Sequence, residues 1–490
     1  MISLDHLHNW QGTASELEQL LASMVPALGL GGDPPTERTL RYWRTSGFLS
    51  RSERRFTERE ALEALNIHAL QQQGLKLGAI HVQVRSCTLE ELRKRLEPLS
   101  RDGMSIASQT GERIANLARD AAILLAQGVA QAFKLVQAGS FIRQDDTMPR
   151  VLQEALSRLG RLYLEEGRED ESASVHDVLA RCRKPLREWG LQVFAHPGFE
   201  FADAVLVDAD LRVPTPECVQ IASSTGPGVE NVLEERLHRQ LRQALEALRS
   251  EADIAYTRVR EFIARNSLTT LPKLLNFCND AGFPTRLVSL LTQEFYQHVP
   301  EAWLIDGQVR RCAHCGTLLR PSPHRRDHLQ GRCPLSACRW EYETTEIGEV
   351  LAPEDALVAR SVILSYWVNP AIDELRIFDA ALAAGLPAQL YPDGDRCDVR
   401  LNAEIGVDVK TYASPITLAL TLNNGIGGLE THSRRIIAVP NGITEHHAQY
   451  LRTLRSALET PAARSLEVMP VSGVLRLIQR LCSEGREWRA

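Results

Sequence analysis

The sequence predicts a multidomain, mainly α-helical protein with an α/β domain at its C-terminal end. At 490 residues the chain is too long for one hydrophobic core, and its length predicts about three or four domains. Apolar residues recur at helical spacing through much of 88–305, whereas they alternate at strand spacing in 399–409. We therefore divide the chain into residues 1–87, 88–305, 306–348 and 349–490.

The composition excludes several classes of protein. A formal net charge of −6 is not that of a histone-like polycation, so nucleic acid would have to bind to local basic patches. No segment approaches the roughly 18 consecutive apolar residues of a membrane span. Six of the ten cysteines are scattered singly, as in proteins of a reducing compartment. We expect a cytoplasmic, globular protein without membrane contact.

The first 87 residues carry two predicted helices, a basic wing and a third helix. An amphipathic helix over 15–25 is followed by a turn and by an arginine-rich helix over 36–49. The wing spans 51–57, and the third helix runs from Glu58 to Ile80. The segments Thr39-Leu40-Arg41-Tyr42-Trp43 and Gly47-Phe48-Leu49 occur in the order typical of MerR-type regulators. The region resembles the winged helix-turn-helix of that family.

This resemblance implies a DNA-binding face. Arginine reads guanine edges, but it also binds phosphate without regard to sequence. A fold that is kept only to bind protein stays open as an alternative. The residues that the resemblance places against DNA are Arg38, Arg41, Tyr42, Arg44, Arg54 and Arg55.

The middle region indicates no particular chemistry. Its candidate strands are 201–208 and 217–222, and neither GxxxxGK[ST] nor GxGxxG occurs, so ATP-driven activity is not expected. The predicted helices lie near 88–96, 111–138, 148–166, 174–190, 230–266 and 271–298.

Four cysteines in 306–348 predict a zinc ribbon. Cys312 and Cys315 form one C-x2-C pair, and Cys333 and Cys338 form a C-x4-C pair, which together suit one tetrahedral Zn²⁺. A closed site with four thiolates is structural, so this zinc is not expected to cut a substrate. Two histidines between the pairs, His324 and His328, are alternative ligands. The same loop is basic and predicted to bind phosphate, through Arg320, Arg325, Arg326 and Arg332.

A segment near the C-terminal end predicts a β-hairpin that brings acids and a lysine together. Apolar side chains alternate on both sides of a polar bend at 402–404, which sets Asp398 opposite Asp408. Side chains two positions apart on a strand share a face, so Asp408 and Lys410 point together. The two carboxylates and the Val409 carbonyl are hard oxygen ligands that suit Mg²⁺ or Mn²⁺.

Lysine is rare in this chain, which makes Lys410 conspicuous. Only six of the 56 Lys and Arg residues are lysines, and Lys410 alone among them has an acid two positions before it. Lysine is a compact point charge whose pKa can be lowered, whereas arginine keeps its proton. A solvated strand face with mixed charges is the simpler interpretation of the local pattern.

The surroundings of the hairpin resemble the PD-(D/E)xK restriction-endonuclease-like nucleases over roughly 352–482. A helix near 369–384 precedes the hairpin, and a helix, a strand near 435–440, a helix near 445–458 and a strand near 465–471 follow it, as in that superfamily's α/β core.

The nuclease resemblance implies roles for individual residues. It implies Asp398 and Asp408 as metal ligands, Lys410 as the lysine that positions water, and Glu374 as an accessory ligand. The literal Pro392-Asp393 pair lies five residues too early for the hairpin, so Asp393 and Asp395 stay as alternates.

These features imply a metal-dependent DNA endonuclease in prokaryotic defence against foreign DNA. The alternative is a DNA-binding regulator or adaptor whose nuclease fold is inert. The domain order also resembles components of PIWI-like islands that encode a helicase and a restriction-type nuclease. The implied partners are DNA and a helicase or Argonaute-like protein of the same gene cluster, and a homodimer is an open alternative.

Overall fold

A computed structural model describes residues 4–28, 30, 34–50, 55–72, 80, 84–85, 87–224, 234–322 and 328–487. The predicted DNA-contacting residues Arg54, Arg325 and Arg326 lie outside the described residues, as do His324 and most of the basic wing. The described chain is mainly helical, with a mixed β-sheet near its C-terminal end. Contacts divide it into two compact units, residues 1–116 and 117–490. None of the described helices is both long enough and apolar enough to cross a membrane.

The first unit is built on three short helices around one core. Thr13 and Glu16 form a capping box at the first helix: the Thr13 amide donates to Glu16 Oε2 at 2.7 Å, and the Glu16 amide donates to Thr13 Oγ1 at 3.3 Å. Leu17, Leu40 and Leu62, one from each helix, meet in the core. The elements are the 3₁₀-helix Leu4–Leu7, the strands Gln11–Gly12 and Phe56–Thr57, and the helices Ala14–Ala27, Glu37–Thr45 and Glu58–Gln72.

The predicted DNA-facing residues of this unit differ in where their side chains point. Arg38 is exposed, Tyr42 is 56% exposed, and the exposed Arg41 pairs with Glu37. Arg55 is also exposed.

Arg44 differs from the other predicted DNA-facing residues because its guanidinium packs against the core of this unit. Its Nε lies 2.8 Å from Glu60 Oε1, an atom of a buried side chain, and its guanidinium covers the Phe56 ring at 4.3 Å. Because Glu60 is buried, this cation compensates its charge, and the ion pair links the helix Glu37–Thr45 to the helix Glu58–Gln72.

The middle of the chain is helical, and one predicted strand there is wrong. Residues 217–222 lie in the helix Pro216–Ser223, because Pro216 occupies its first turn and Thr215 caps it, accepting the Cys218 amide at 3.0 Å. The candidate strand 201–208 is reduced to one bridge, between Val207 and Pro214. The other helices are Leu89–Gln137, which contains the boundary between the units, Arg150–Glu165, Val175–Arg181, Gln192–Ala195, Glu234–Leu245, Ala252–Arg265, Leu271–Asp280 and Thr285–Leu290.

Three short strands connect this helical region to residues that follow the cysteine-rich segment. Leu268–Thr270 and Tyr296–His298 both pair antiparallel with Ala356–Ala359, which lies between them. The helical turns Ser361–Ile363 and Leu364–Val368 follow and bury Trp367 in the same core. In the cysteine-rich segment, Val309–Cys312 pairs with Ile347–Leu351, and a helix spans Ser336–Glu341.

The C-terminal domain is a five-stranded mixed sheet between two layers of helices. The main elements are α1 (Asn369–Ala383), β1 (Ala388–Leu390), β2 (Val399–Leu401), β3 (Ile405–Val409), α2 (Pro415–Asn424), β4 (Arg434–Val439), α3 (Tyr450–Ala457), β5 (Glu467–Pro470) and α4 (Val471–Glu487). The strands lie in the order β5-β4-β3-β2-β1. Neighbouring strands are parallel from β3 to β5 and antiparallel from β1 to β3.

The strand β4, which lies between β5 and β3, is apolar on both faces because helices cover both. Ile436 and Ala438 pack with the core beneath α1 and α4, whereas Ile437 and Val439 pack with the core beneath α2 and α3. The strand β3 pairs with the edge of β4 that faces away from β5. Gly406 in β3 allows the His432 ring to approach the strand, because a Cβ at this position would lie 2.8 Å from that ring.

Glu217 joins the middle helices to this domain. Its buried carboxylate accepts the Ser414 amide at 2.7 Å and the Val205 amide at 3.3 Å. Burial raises the pKa of Glu217 to about 7, although the amides of Ser414, Val205 and Ala413 act in the opposite direction.

We expect Glu217 to make the free energy of unfolding depend on pH. Its pKa is about 7 in the folded chain against 4.5 for an ordinary glutamate. Stability is therefore lost as the pH rises from 4.5 to 7, where the folded protein keeps a proton that the unfolded chain releases. Glu217→Gln removes this loss, so the variant should be more stable than wild type at pH 8, by up to about 3 kcal/mol. Urea unfolding at pH 5 and pH 8 measures the difference.

The control is Glu188→Gln, which changes an exposed acid of the same region. It should leave the pH dependence of wild type unchanged. An equal stability difference between Glu217→Gln and wild type at both pH values would contradict the assignment.

Candidate functional site

The hairpin of β2 and β3 brings two aspartates side by side. Val399 pairs with Val407, and Leu401 pairs with Ile405, so the same register places Asp398 opposite Asp408. The Asp398 amide donates to Asp408 Oδ1 at 3.2 Å. The hairpin geometry predicted from the alternation is therefore present. At the bend, Asn402 and Ala403 have φ of 49° and 61°, the left-handed values that tight hairpin turns require.

Main-chain amides fix both carboxylates. Asp398 Oδ2 accepts the Val409 amide at 2.7 Å, while Asp408 Oδ1 accepts the Asp398 amide. Both aspartates are partly exposed, at the ends of strands whose intervening residues Val399 and Val407 are fully buried. The carboxylates therefore face out of the sheet with little rotational freedom.

Lys410 lies on the same side as Asp408, as predicted for residues two apart. Its Nζ is 3.2 Å from Asp408 Oδ2, and the Lys410 side chain is 30% exposed. Burial alone would lower the pKa of Lys410, but the carboxylates of Asp408 and Asp398 outweigh it and raise the pKa. Lys410 therefore stays a cation, and a lowered lysine pKa is not a feature of this site.

Glu374 is fully buried on α1 beside this group. Its Oε2 accepts a hydrogen bond of 2.6 Å from the Tyr391 hydroxyl. Burial raises the pKa of Glu374 to about 7, against the attraction of Arg260. Burial and the charges of Glu374 and Asp408 likewise raise the pKa of Asp398 well above its ordinary value. The carboxyl groups therefore disfavour one another's ionised forms, and a bound cation would relieve this repulsion.

The three carboxylates do not converge on one point. Among the described residues, only the four ribbon cysteines form a group of three or more metal-ligating side chains whose ligand atoms all lie within 4.8 Å of one another. Glu374, Asp398 and Asp408 are therefore not a compact three-carboxylate set. The oxygen donors fit a divalent cation held by the two aspartates and the Val409 carbonyl, with Glu374 as an accessory ligand.

The two alternate acids are engaged elsewhere. Asp393 Oδ2 lies 2.7 Å from Arg400 Nη1, and Asp395 Oδ2 lies 2.9 Å from Arg260 Nη1. The Tyr256 hydroxyl also donates to Asp395, at 2.7 Å. Both alternate acids therefore form ion pairs with arginines.

Arg260 is the residue of this region that sequence reasoning missed. It lies on the helix Ala252–Arg265, is 9% exposed, and stacks on the Tyr391 ring at 4.4 Å. The middle helices thus contact the loop between β1 and β2, where Tyr391, Asp393 and Asp395 adopt left-handed φ of 47°, 52° and 76°. Arg260 is one arginine among many, 135 residues before Asp395, so no local pattern could have identified it.

The four cysteines cluster closely enough to hold one metal ion. Cys312 Sγ lies 3.9 Å from Cys338 Sγ, and Cys315 Sγ lies 3.5 Å from Cys333 Sγ. Zn–S bonds of about 2.3 Å in a tetrahedron put the sulfurs about 3.8 Å apart, so the donor set fits Zn²⁺.

Two features of the ribbon support the four-thiolate assignment. Gly316 has a φ of 73°, as the turn after the first cysteine pair requires. The described histidine His328 is not part of the ligand group, which consists of the cysteines alone.

Two family models match parts of the chain. Residues 371–486 match the model described as "REase associating with pPIWI_RE", and residues 121–270 match "pPIWI_RE three-gene island domain Y". No curated protein and no solved structure matches the chain. The first match covers α1 to α4, and the second covers the helices that carry Glu217 and Arg260. Together they indicate a PIWI-like restriction-enzyme defence island and a nuclease-related role within it.

Proposed function

We propose that the chain is a metal-dependent DNA endonuclease of the PD-(D/E)xK type. The observation that carries the proposal is the pairing of Asp398 with Asp408 at the open end of a hairpin. Lys410 Nζ lies 3.2 Å from Asp408 Oδ2. This occurs within the segment that matches a restriction-enzyme family model. The order of α1, the hairpin, α2, β4, α3 and β5 supports the proposal, because it is the order expected from the resemblance to that superfamily.

Each residue has a task in this proposal. Asp398, Asp408 and the Val409 carbonyl would hold Mg²⁺ or Mn²⁺. When bound, the ion would supply Lewis-acid activation of the scissile phosphate and of the attacking water. Lys410 keeps its proton, because two carboxylates raise its pKa, and its charge offsets the negative charge that develops on the phosphate. Glu374, which accepts a hydrogen bond from the Tyr391 hydroxyl, would serve as an accessory ligand.

The N-terminal unit would supply contacts to DNA. Arg38, Arg41 and Tyr42 lie on the exposed side of the helix Glu37–Thr45, and Arg55 is exposed just before the strand Phe56–Thr57. Because arginines of this kind bind phosphate as well as bases, we assign the surface to affinity for DNA rather than to a particular sequence.

The test is cleavage of supercoiled plasmid with Mg²⁺ by wild type and by Lys410→Met. We expect nicking or linearisation by wild type and a loss of rate on the order of 10²–10³ in the variant, as for removal of one transition-state donor. Lys273→Met, which changes an exposed lysine, is the matched control and should cut normally. Cleavage by Lys410→Met at the wild-type rate would refute the assigned site.

A further inference from the structure

A cavity beside the zinc ribbon is lined by arginines and lies apart from the residues assigned to cleavage. Its volume is about 550 Å³, within the range of small-ligand pockets. It opens between the segment 209–212, the helical turn Glu301–Trp303 and the strand-like pair around Arg320 and Arg332. The polar side chains that line it are Asp210, Arg212, Arg320, Ser322, Arg332 and Ser361.

Two of these arginines are direct cross-strand neighbours. The Arg320 amide donates to the Arg332 carbonyl at 2.9 Å, and the Arg332 amide donates to the Arg320 carbonyl at 2.8 Å. Residues opposite each other in an antiparallel pair project to the same face, and like charges at such a position repel. The backbone thus directs two arginine side chains to the same face, and both line the cavity.

The charges around Arg332 and Arg320 are compensated unequally. Arg332 Nη1 lies 3.1 Å from Asp210 Oδ1, but Asp210 is shared with Arg339, whose Nη2 lies 2.8 Å from Oδ2. In the described part of the chain, no carboxylate oxygen lies within 4.0 Å of the Arg320 guanidinium nitrogens, so Arg320 forms no ion pair there. Arg332 therefore shares the charge of one acid with Arg339, whereas Arg320 forms no ion pair with a described acid.

Arg320 is held in place by uncharged groups. Its guanidinium covers the Trp303 ring at 3.7 Å and approaches the Ser361 hydroxyl at 3.4 Å, while its Nε is buried without a hydrogen-bond partner among the described residues. Burial lowers the pKa of Arg320 to about 10, and the more distant Asp208 and Asp210 only partly oppose this. A positive charge that is fixed, desolvated and without an ion-pair partner among the described residues suits an anion.

We infer that this cavity binds a phosphate group, with Arg320 and Arg332 as the ligating pair. A guanidinium offers a planar fork of donors that matches phosphate oxygens, and two adjacent forks suit a tetrahedral anion. The inference rests on the proposed function in taking the phosphate to belong to a nucleic-acid strand. A free nucleotide presents the same chemistry.

The experiment measures binding in EDTA, so that no cleavage occurs. The probe is a fluorescein-labelled 20-nucleotide DNA, single-stranded or duplex, followed by anisotropy at several salt concentrations, with ATP and inorganic phosphate titrated separately by calorimetry. We expect Arg320→Gln to weaken DNA binding about tenfold or more and to reduce the slope of log affinity against log salt by about one. Arg310→Gln, which changes an arginine of the same ribbon paired with Asp306, is the matched control.

A second variant separates ligand binding from folding. Ser361→Asp places a carboxylate beside Arg320 and should weaken binding as strongly as Arg320→Gln while leaving the melting temperature unchanged. Loss of ATP or phosphate binding in both variants, with DNA binding intact, supports the cavity and assigns it to a small phosphate ligand. Unchanged affinity of both variants for DNA, ATP and phosphate overturns the inference. Because the assay needs no metal, plasmid cleavage by a protein that fails this test would leave the proposed function standing.

Discussion

Asp398→Asn is expected to raise the melting temperature of the metal-free protein and to abolish its stabilisation by Mg²⁺ or Mn²⁺. Burial and the charges of Glu374 and Asp408 raise the pKa of Asp398, which means that its ionised form destabilises the folded state at neutral pH. Asparagine removes that charge and keeps an oxygen for the Val409 amide, which donates to this side chain at 2.7 Å. The substitution should therefore stabilise the fold while removing a metal ligand.

Thermal unfolding with and without metal measures this prediction. Wild type should gain about 3 kcal/mol at a metal concentration a hundred times the dissociation constant, and Asp398→Asn should gain almost nothing. Glu404→Gln, at the exposed bend of the same hairpin, is the control and should respond to metal as wild type does. Equal stabilisation of Asp398→Asn and wild type by metal would place the cation elsewhere.

Cys333→Ser is expected to have the largest effect on stability. Structural zinc contributes about 10–16 kcal/mol of binding free energy in isolated zinc-finger peptides at neutral pH. Here Cys312, Cys333 and Cys338 are buried in the same core as Tyr256 and Trp367, which contact Arg260 beside the candidate site. Loss of zinc should therefore unfold the ribbon and loosen the helix that carries Arg260.

Elemental analysis and thermal unfolding measure this result. Wild type should contain one zinc per chain, and Cys333→Ser should contain much less and melt at a clearly lower temperature. Cys278→Ala, which changes a buried cysteine of the same core outside the ligand group, should keep its zinc and lose only about 1 kcal/mol. A zinc-free Cys333→Ser protein with the wild-type melting temperature would contradict a structural role for the ion.

The features that could be predicted from sequence are those set by local patterns. Alternation of apolar residues fixes which side chains of a strand are buried, so the register that sets Asp398 opposite Asp408 follows from the strands and their short bend. The cysteine spacing likewise predicts a metal site, and the four sulfurs lie together. The order of α1, the hairpin, α2, β4, α3 and β5 also follows from periodicity, whereas the strand β1 and the helix α4 were not predicted.

What could not be predicted depends on distant parts of the chain or on capping. The apolar run 217–222 suits a strand as well as a helix, and the cap at Thr215 with Pro216 decides for a helix. Arg44 turns inward because Glu60 is buried beneath it, a contact that no pattern within the helix Glu37–Thr45 reveals. Arg260 and Glu217 reach the C-terminal domain through tertiary packing alone.

The most direct test of the proposed nuclease site is cleavage of supercoiled plasmid by purified wild-type protein and by Asp398→Asn, each with Mg²⁺ and with EDTA. We predict nicking or linearisation by wild type with Mg²⁺ only, and none by Asp398→Asn even though that variant is folded. Cleavage by Asp398→Asn with Mg²⁺ at the wild-type rate, or cleavage by wild type in EDTA, would contradict it.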